Sequence, residues 1–325
     1  MQTLLKNTQA YRLLQKEEKT GDFSHAYLLL FNDARNLRLA LKTFAKPFFS
    51  CADADTPQKK RISQLIDEEN FADCLLYPQE GKKLSVDDAE RIQEEATLQP
   101  VEGERKLFLI SDFAEANVQT QNKLLKLLEE PPKGVTLLLG ATVSFPVLPT
   151  ILSRTEKLEI LPFSTLDVLA ALKRLYPQKE ERELSAIACT ANGSVGDGQN
   201  MLDGGAYKSI MDAAFSLALC SSSQLPATVK QLGETKRQKE LISTLRLIFR
   251  DALVQKTLEK GKAEKALLLY LEKERVQEVS EKYSAEALLY AQEAFSEAEK
   301  QIKFNAVFPQ CIELCMANIA RKNVK

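Results

Sequence analysis

The chain has 325 residues, with 44 Lys and Arg against 45 Asp and Glu, and it is 44% hydrophobic and 27% charged. That length exceeds most single cores and implies two or three domains, while the near-zero net charge argues against a protein that holds a nucleic acid with its own cations alone. No apolar run reaches the ~18 residues of a membrane span and no basic leader opens the sequence, so a soluble cytoplasmic protein is expected.

The six cysteines, Cys51, Cys74, Cys189, Cys220, Cys311 and Cys315, include no Cys-x-x-Cys pair. Structural zinc uses closely spaced ligand pairs, so buried reduced thiols are expected instead. The single histidine, His25, lacks a cysteine or carboxylate companion, which argues against histidine acid–base chemistry.

Along residues 1 to 161, short apolar runs at 26–31, 74–77, 107–110, 135–139 and 158–161 alternate with amphipathic stretches. Most runs are apolar on both faces, as strands between two helical layers must be, and the pattern predicts an α/β sandwich. Ser85 and Asp88 stand at capping-box spacing ahead of Val86, Ala89, Ile92 and Ala96, which predicts a helix ending before Pro100. A second helix is predicted over 117–130, with Val118, Leu124, Leu125 and Leu128 on one face and Pro131-Pro132 ending it.

Segment 162–205 opens with a predicted helix at 166–175 and later carries Ala191-Asn-Gly-Ser-Val-Gly-Asp-Gly198. The Gly204-Gly205 pair reads as a hinge. From Ala206 onward the only glycines and prolines are Gly233, Gly261, Pro226 and Pro309, and no strand pattern survives. Long helices with short turns are expected there, as in the amphipathic stretch 241–249, and no repeat of about 20–50 residues suggests a solenoid.

One pair of segments carries more than pattern. Gln121-Asn-Lys-Leu-Leu-Lys-Leu-Leu-Glu-Glu-Pro-Pro-Lys133, followed by Leu152-Ser-Arg-Thr155, resembles the AAA+ clamp-loader ATPases. In that family a helix ending in Leu-Glu-Glu-Pro-Pro leads to a strand and then to a Ser-Arg-Cys turn, whose arginine reaches the ATP site of the next subunit. The three-part layout is similar to bacterial clamp-loader subunits along nearly the whole chain, and among them to the delta-prime type of DNA polymerase III. The resemblance implies a P-loop-NTPase-like AAA+ domain with a five-stranded parallel sheet at 1–161, a small helical lid at 162–205 and an all-α collar at 206–325. Asn305 lies where the family often has an asparagine.

The local match begins at His25-Ala-Tyr-Leu28 and resumes at Phe44-Ala-Lys46 without a gap. In that register the family's Gly-x4-Gly-Lys-Ser/Thr loop falls on Phe31 to Arg38. Phe31 and Asn36 replace the glycines, Leu37 the lysine, and Arg38 the hydroxyl that ligates Mg²⁺. A phosphate cradle needs converging backbone N–H groups, glycines that permit the approach, and a cation on the β- and γ-phosphates. Arg35 and Arg38 are read as solvated charges at a helix start.

Where active relatives end their third strand in two acids, this chain has Ser111-Asp112, with a hydroxyl in place of the metal-side carboxylate. Thr142 is the remaining candidate for the residue that reads the γ-phosphate. Gly193-Ser-Val-Gly-Asp197 places Gly196 where the family's second sensor has an arginine. These losses remove most of the positioning and charge neutralisation that phosphoryl transfer requires, so the chain is expected not to hydrolyse ATP and to bind no cofactor.

The resemblance assigns Arg154 as an arginine finger acting in trans, supported by Ser153; Thr155 replaces the family's cysteine. A permanently charged planar donor suits that role, whereas an isolated surface arginine is more often half of an ion pair, here with Glu156 nearby. Lys123 and Lys126 face away from the leucines of their helix, where they could touch DNA phosphates or a neighbouring subunit or form a solvated face, and they are not counted as site residues. Delta-prime relatives often hold zinc with four cysteines before the second strand; only Cys51 and the basic run Lys59-Lys-Arg61 stand there, so no metal is expected.

The implied partners are the tau/gamma ATPase subunits, which would hold ATP and Mg²⁺, and the delta subunit. The sliding clamp would be met indirectly, and primed DNA in the assembled complex. Two rivals remain at this point: a standalone AAA+ ATPase with an atypical phosphate loop, and a helical scaffold in which Arg154 is incidental.

Overall fold

In the computed structural model of the chain, residues 1–49, 57–204, 206–232, 237–259, 262–263, 266–269, 272–303 and 306–323 are described. Cys51, Gly205, Gly233, Gly261 and Asn305 fall outside them. Two compact units emerge, Met1–Pro162 and Phe163–Lys325.

The first unit begins with helices α1 (Gln2–Lys6) and α2 (Gln9–Thr20), strand β1 (Ala26–Phe31), a 3-10 turn at Ala34–Asn36, α3 (Leu37–Ala45) and α4 (Pro57–Asp67). It continues with β2 (Cys74–Tyr77), α5 (Val86–Ala96), β3 (Lys106–Ile110), α6 (Val118–Glu129), β4 (Val135–Ala141), α7 (Pro149–Leu152) and β5 (Glu156–Ile160). The strands form one five-stranded parallel sheet in the order β2-β3-β4-β1-β5.

Every residue of β1, β3 and β4 is buried, which explains their unbroken apolar runs. Leu28, Phe108 and Leu139 share a core with Ile92 of α5 and Leu124 and Leu128 of α6. The intervening residues face the opposite layer, where Leu41 of α3 packs so closely on β4 that a Cβ at Gly140 would lie 2.9 Å from its Cδ1. The edge strand β5 buries only Leu158 and Ile160 and leaves Glu156, Lys157 and Glu159 exposed, a charged rim that discourages further strand pairing. Leu161, expected to extend this strand, lies beyond it and is exposed.

The predicted capping box on α5 is present: Ser85 Oγ accepts from the Asp88 N–H at 3.1 Å, and the Ser85 N–H donates to Asp88 Oδ2 at 3.0 Å. The predicted face of α6 needs correcting. Val118 is 58% exposed and Leu127 is buried, because the helix starts at the Asn117 cap and the inward stripe runs through Gln121, Leu124 and Leu128. Pro131-Pro132 ends α6 as expected, and Gly134 at φ 80° turns the chain into β4. Any Cβ there would sit 2.6 Å from the Glu104 carbonyl oxygen, so only glycine fits.

The second unit is helical among the described residues: α8 (Thr165–Leu175), α9 (Glu181–Thr190), α10 (Val195–Asp203), α11 (Ala206–Leu219), α12 (Leu225–Leu232), α13 (Gln238–Thr257), α14 (Lys273–Lys282), α15 (Ala285–Lys303) and α16 (Phe308–Asn323). One core joins Phe215, Ile248, Phe249, Val279, Phe295 and Ile312. Inside it, Asp251 is fully buried and accepts from the Leu268 and Leu269 N–H groups at 2.9 and 2.7 Å and from Arg250 at 2.5 Å. Burial still holds its carboxyl above the ordinary range against those hydrogen bonds.

Cys74 and Cys315 are buried, while Cys189, Cys220 and Cys311 are half-buried. Burial pushes the Cys315 thiol up to about 12, so it packs as a small hydrophobe. Among the described residues, no helix is long and apolar enough to cross a membrane, and no group of three or more His, Cys, Asp or Glu is placed to hold a metal ion.

Candidate functional site

The loop from β1 to α3 is closed by its own side chains. Asp33 is fully buried, its Oδ1 accepting from the Asn36 N–H at 3.1 Å and its Oδ2 from Asn36 Nδ2 at 2.9 Å. A helix N-terminus that follows a strand offers N–H groups to an anion, and here an internal carboxylate takes one of them. A polyphosphate beside that buried carboxylate would bring like charges together in a poorly solvated place. Phe31 and Leu37 are buried and give the loop no cation.

Arg38 is not the solvated charge the sequence suggests. Its Nη1 donates to the Pro78 carbonyl at 2.7 Å and its Nη2 pairs with Glu69 at 2.9 Å, tying α3 to the segments on both sides of β2. Burial raises the Glu69 carboxyl, but Lys42 and Arg38 outweigh it and hold the group below its usual range. Arg35 is exposed.

At the end of β3, Ser111 is buried and its Oγ donates to Asp112 Oδ2 at 2.7 Å, while its N–H donates to the Tyr77 carbonyl at 2.7 Å. Thr142 sits half-buried just past β4. Gly196 lies buried in the first turn of α10, where Ser194 Oγ accepts from the Asp197 N–H at 3.1 Å, and it has no side chain with which to reach a phosphate. The preceding turn is anchored by Asn192, whose Nδ2 donates to Ser243 Oγ and whose Oδ1 accepts from Arg246 at 3.0 Å.

Arg154 stands at the other edge of the sheet. Tyr27 of β1 is paired with Glu156 and Phe31 with Ile160, so Arg154 lies just before the N-terminal edge of β5, while the β1–α3 loop leaves the C-terminal edge of β1. At ~3.3 Å per strand residue the two are roughly 20 Å apart, beyond the reach of an arginine side chain. The sheet therefore keeps Arg154 away from Phe31 to Arg38.

The Ser-Arg-Thr turn caps α7 with side chains. Ser153 Oγ donates to the Thr150 carbonyl at 3.1 Å and Thr155 Oγ1 to the Ile151 carbonyl at 3.1 Å, which satisfies oxygens the short helix leaves open. Arg154 Nη1 donates to the Thr150 carbonyl at 2.8 Å and to Ser153 Oγ at 3.3 Å, and its Nη2 meets Glu129 Oε1 at 2.8 Å. The expected partner Glu156 is thus replaced by Glu129, the last residue of α6. Lys123 pairs with Glu90 of α5 at 2.8 Å, and Lys126 is exposed.

Three comparisons bear on this geometry. Residues 6–164 match the family model described as DNA polymerase III, delta subunit. The chain is 24% identical to the DNA polymerase III subunit tau of Bacillus subtilis, over 90% of this chain and 55% of that protein. It is 27% identical to the subunit delta' of the same organism, over 57% of this chain and 56% of that protein. The chain spans about half the length of these curated relatives. A gamma subunit-related protein of DNA polymerase III from Thermotoga maritima aligns over 97% of this chain and all of its own, with 18% identity and a TM-score of 0.41.

Three site residues are not singled out by the sequence pattern: Asp33, Glu129 and Gln121. Gln121 is buried on the apolar stripe of α6, where a lone polar residue is itself a signal. Its Oε1 accepts from the Leu148 N–H at 2.9 Å, and its Nε2 donates to the carbonyls of Ala116 at 3.0 Å and Pro146 at 3.4 Å. It pins the loop that enters α7, while Glu129 at the far end of α6 holds Arg154. Gln121→Ala is expected to lower stability by about 1–3 kcal/mol, because buried backbone groups lose their partner; chemical denaturation of the full chain reads this as a lower midpoint.

Proposed function

We propose that this chain is a delta-prime-like, non-hydrolysing subunit of a bacterial clamp loader that donates Arg154 to ATP held by a neighbouring ATPase subunit. The observation that carries the reading is the separation across the sheet: the partly exposed arginine is at one edge, and the loop that would hold a nucleotide is at the other and closed by Asp33. An arginine placed so far from its own loop is useful to a nucleotide only on another chain.

The neighbour's ATP and Mg²⁺ would supply the reacting phosphoryl group and its metal. This chain's part is electrostatic: Ser153, the Thr150 carbonyl and Glu129 orient the Arg154 guanidinium, and its remaining N–H donors stabilise charge on the transferring group. Ser111 in place of an acid, Leu37 in place of the lysine and Gly196 in place of an arginine support the absence of hydrolysis by this chain. The proposed domain roles are an AAA+ domain at 1–161, a lid at 162–205 and a collar at 206–325, whose helices would join those of its partners. Those partners are the tau/gamma and delta subunits, with the sliding clamp engaged indirectly and primed DNA in the complex, in the bacterial cytoplasm. No cofactor or metal is assigned to this chain.

Titration calorimetry of the isolated chain with Mg-ATP tests the reading. No binding heat is expected at millimolar nucleotide. Micromolar binding with turnover would instead establish a standalone ATPase.

A further inference from the structure

Glu129 occupies a place that local physics disfavours. It ends α6, where the helix dipole repels anions, with a second acid, Glu130, immediately after it. Its carboxylate nevertheless meets Arg154 Nη2 at 2.8 Å, with side-chain exposures of 48% and 36%. A pair so exposed contributes little to stability, being screened by water and salt. Its geometric effect is larger. Together with the Thr150 carbonyl and Ser153 Oγ, it fixes a long, flexible side chain on three acceptors, while a guanidinium carries five N–H donors in all.

We infer that Glu129 is the positioning residue for Arg154, pre-orienting the guanidinium so that it meets the neighbour's nucleotide without an ordering step. The inference rests on the proposed role of Arg154 in trans. It also gives the two conspicuous segments of the sequence a common purpose: the Leu-Glu-Glu-Pro-Pro helix end holds the Ser-Arg-Thr arginine. Preorganisation of this kind acts on the rate of the chemical step and not on nucleotide affinity, which the neighbour's own phosphate loop sets.

The test uses the full chain, assembled with its ATPase and delta partners, and measures DNA-stimulated ATP hydrolysis for wild type, Glu129→Ala, Glu129→Gln, Arg154→Ala and the double variant. Glu129→Ala is expected to lower kcat at the facing site by about 10- to 100-fold with KM for ATP unchanged, since small misplacements of a catalytic group cost this much. Glu129→Gln, which keeps an acceptor, recovers part of the loss. In the Arg154→Ala background, Glu129→Ala adds nothing, because Glu129 acts only through the arginine. An unchanged rate for Glu129→Ala beside a slow Arg154→Ala overturns the inference and leaves the function intact. A faster Glu129→Ala also overturns it, since Glu129 would then be sequestering the arginine. An unchanged rate for Arg154→Ala overturns the functional reading itself.

Discussion

Replacing Arg154 by alanine is expected to slow hydrolysis at the neighbouring ATP site by about 10³ to 10⁵-fold, the range that arginine fingers supply. That loss corresponds to roughly 4 to 7 kcal/mol of barrier. The assembly should survive the change: Arg154 is partly exposed, and its pair with Glu129 contributes at most about 1 kcal/mol to this chain's stability. Because one chain faces one site, total steady-state turnover falls by that site's share, and the kinetic phase belonging to the site disappears. Arg154→Lys should rescue little, since an ammonium lacks the planar fork that can bond Glu129, Thr150 and a phosphate oxygen together. Rapid-quench hydrolysis by the reconstituted complex, with native mass measurement to show intact assembly, reads both variants.

Phe249→Ala carries the largest expected effect on stability, about 3–5 kcal/mol. Phe249 is fully buried in α13, its ring centroid 5.0 Å from that of Tyr283 and 5.2 Å from that of Phe295. Truncation removes both aromatic contacts and leaves a cavity where three helices meet, so relaxation can recover little of the lost packing. For a unit of this size the melting temperature should fall by on the order of 10 °C. Leu289, which is 63% exposed on α15, is the matched control, and its alanine variant should melt within about 2 °C of wild type. Differential scanning calorimetry on the full chain decides the point; a Phe249→Ala variant that melts like the Leu289→Ala control would mean that the helical core is not packed as described.

The sheet was legible because its strands are buried on both faces. Continuous apolar runs at β1, β3 and β4 need no periodicity to stand out, and the Ser85–Asp88 capping box is a local signal for a local structure. The face of α6 was only partly legible. Its leucines are dense enough to fit two stripes, and the buried Gln121 selects between them through hydrogen bonds to a loop 25 or more residues away. Helix α9 begins with the acids Glu180, Glu181 and Glu183, which mask its short apolar stripe through Leu184 and Ile187.

The candidate site followed the same division. Arg154 is carried by a contiguous motif, as are the substitutions at Phe31, Leu37, Ser111 and Gly196. Its partner is not: local spacing points to Glu156, two residues on, whereas the fold delivers Glu129 from the end of another helix. Arg38 likewise reads as solvated until the segments before and after β2 bring Glu69 and Pro78 to it. Asp33 was missed for a different reason. The lost glycines show what a phosphate loop lacks, whereas the carboxylate that caps the 3-10 turn ahead of α3 is visible only in the fold.

The most direct measurement of the central claim is a structure of the assembled complex trapped with ADP and a metal-fluoride mimic of the transferring phosphoryl group. The account predicts the Arg154 guanidinium within about 3 Å of the mimic's acceptor atoms on the neighbouring subunit, with Asp33 still capping an empty loop in this chain. A mimic bound between β1 and α3 of this chain, or an Arg154 that faces solvent while the neighbour's site is loaded, would contradict it.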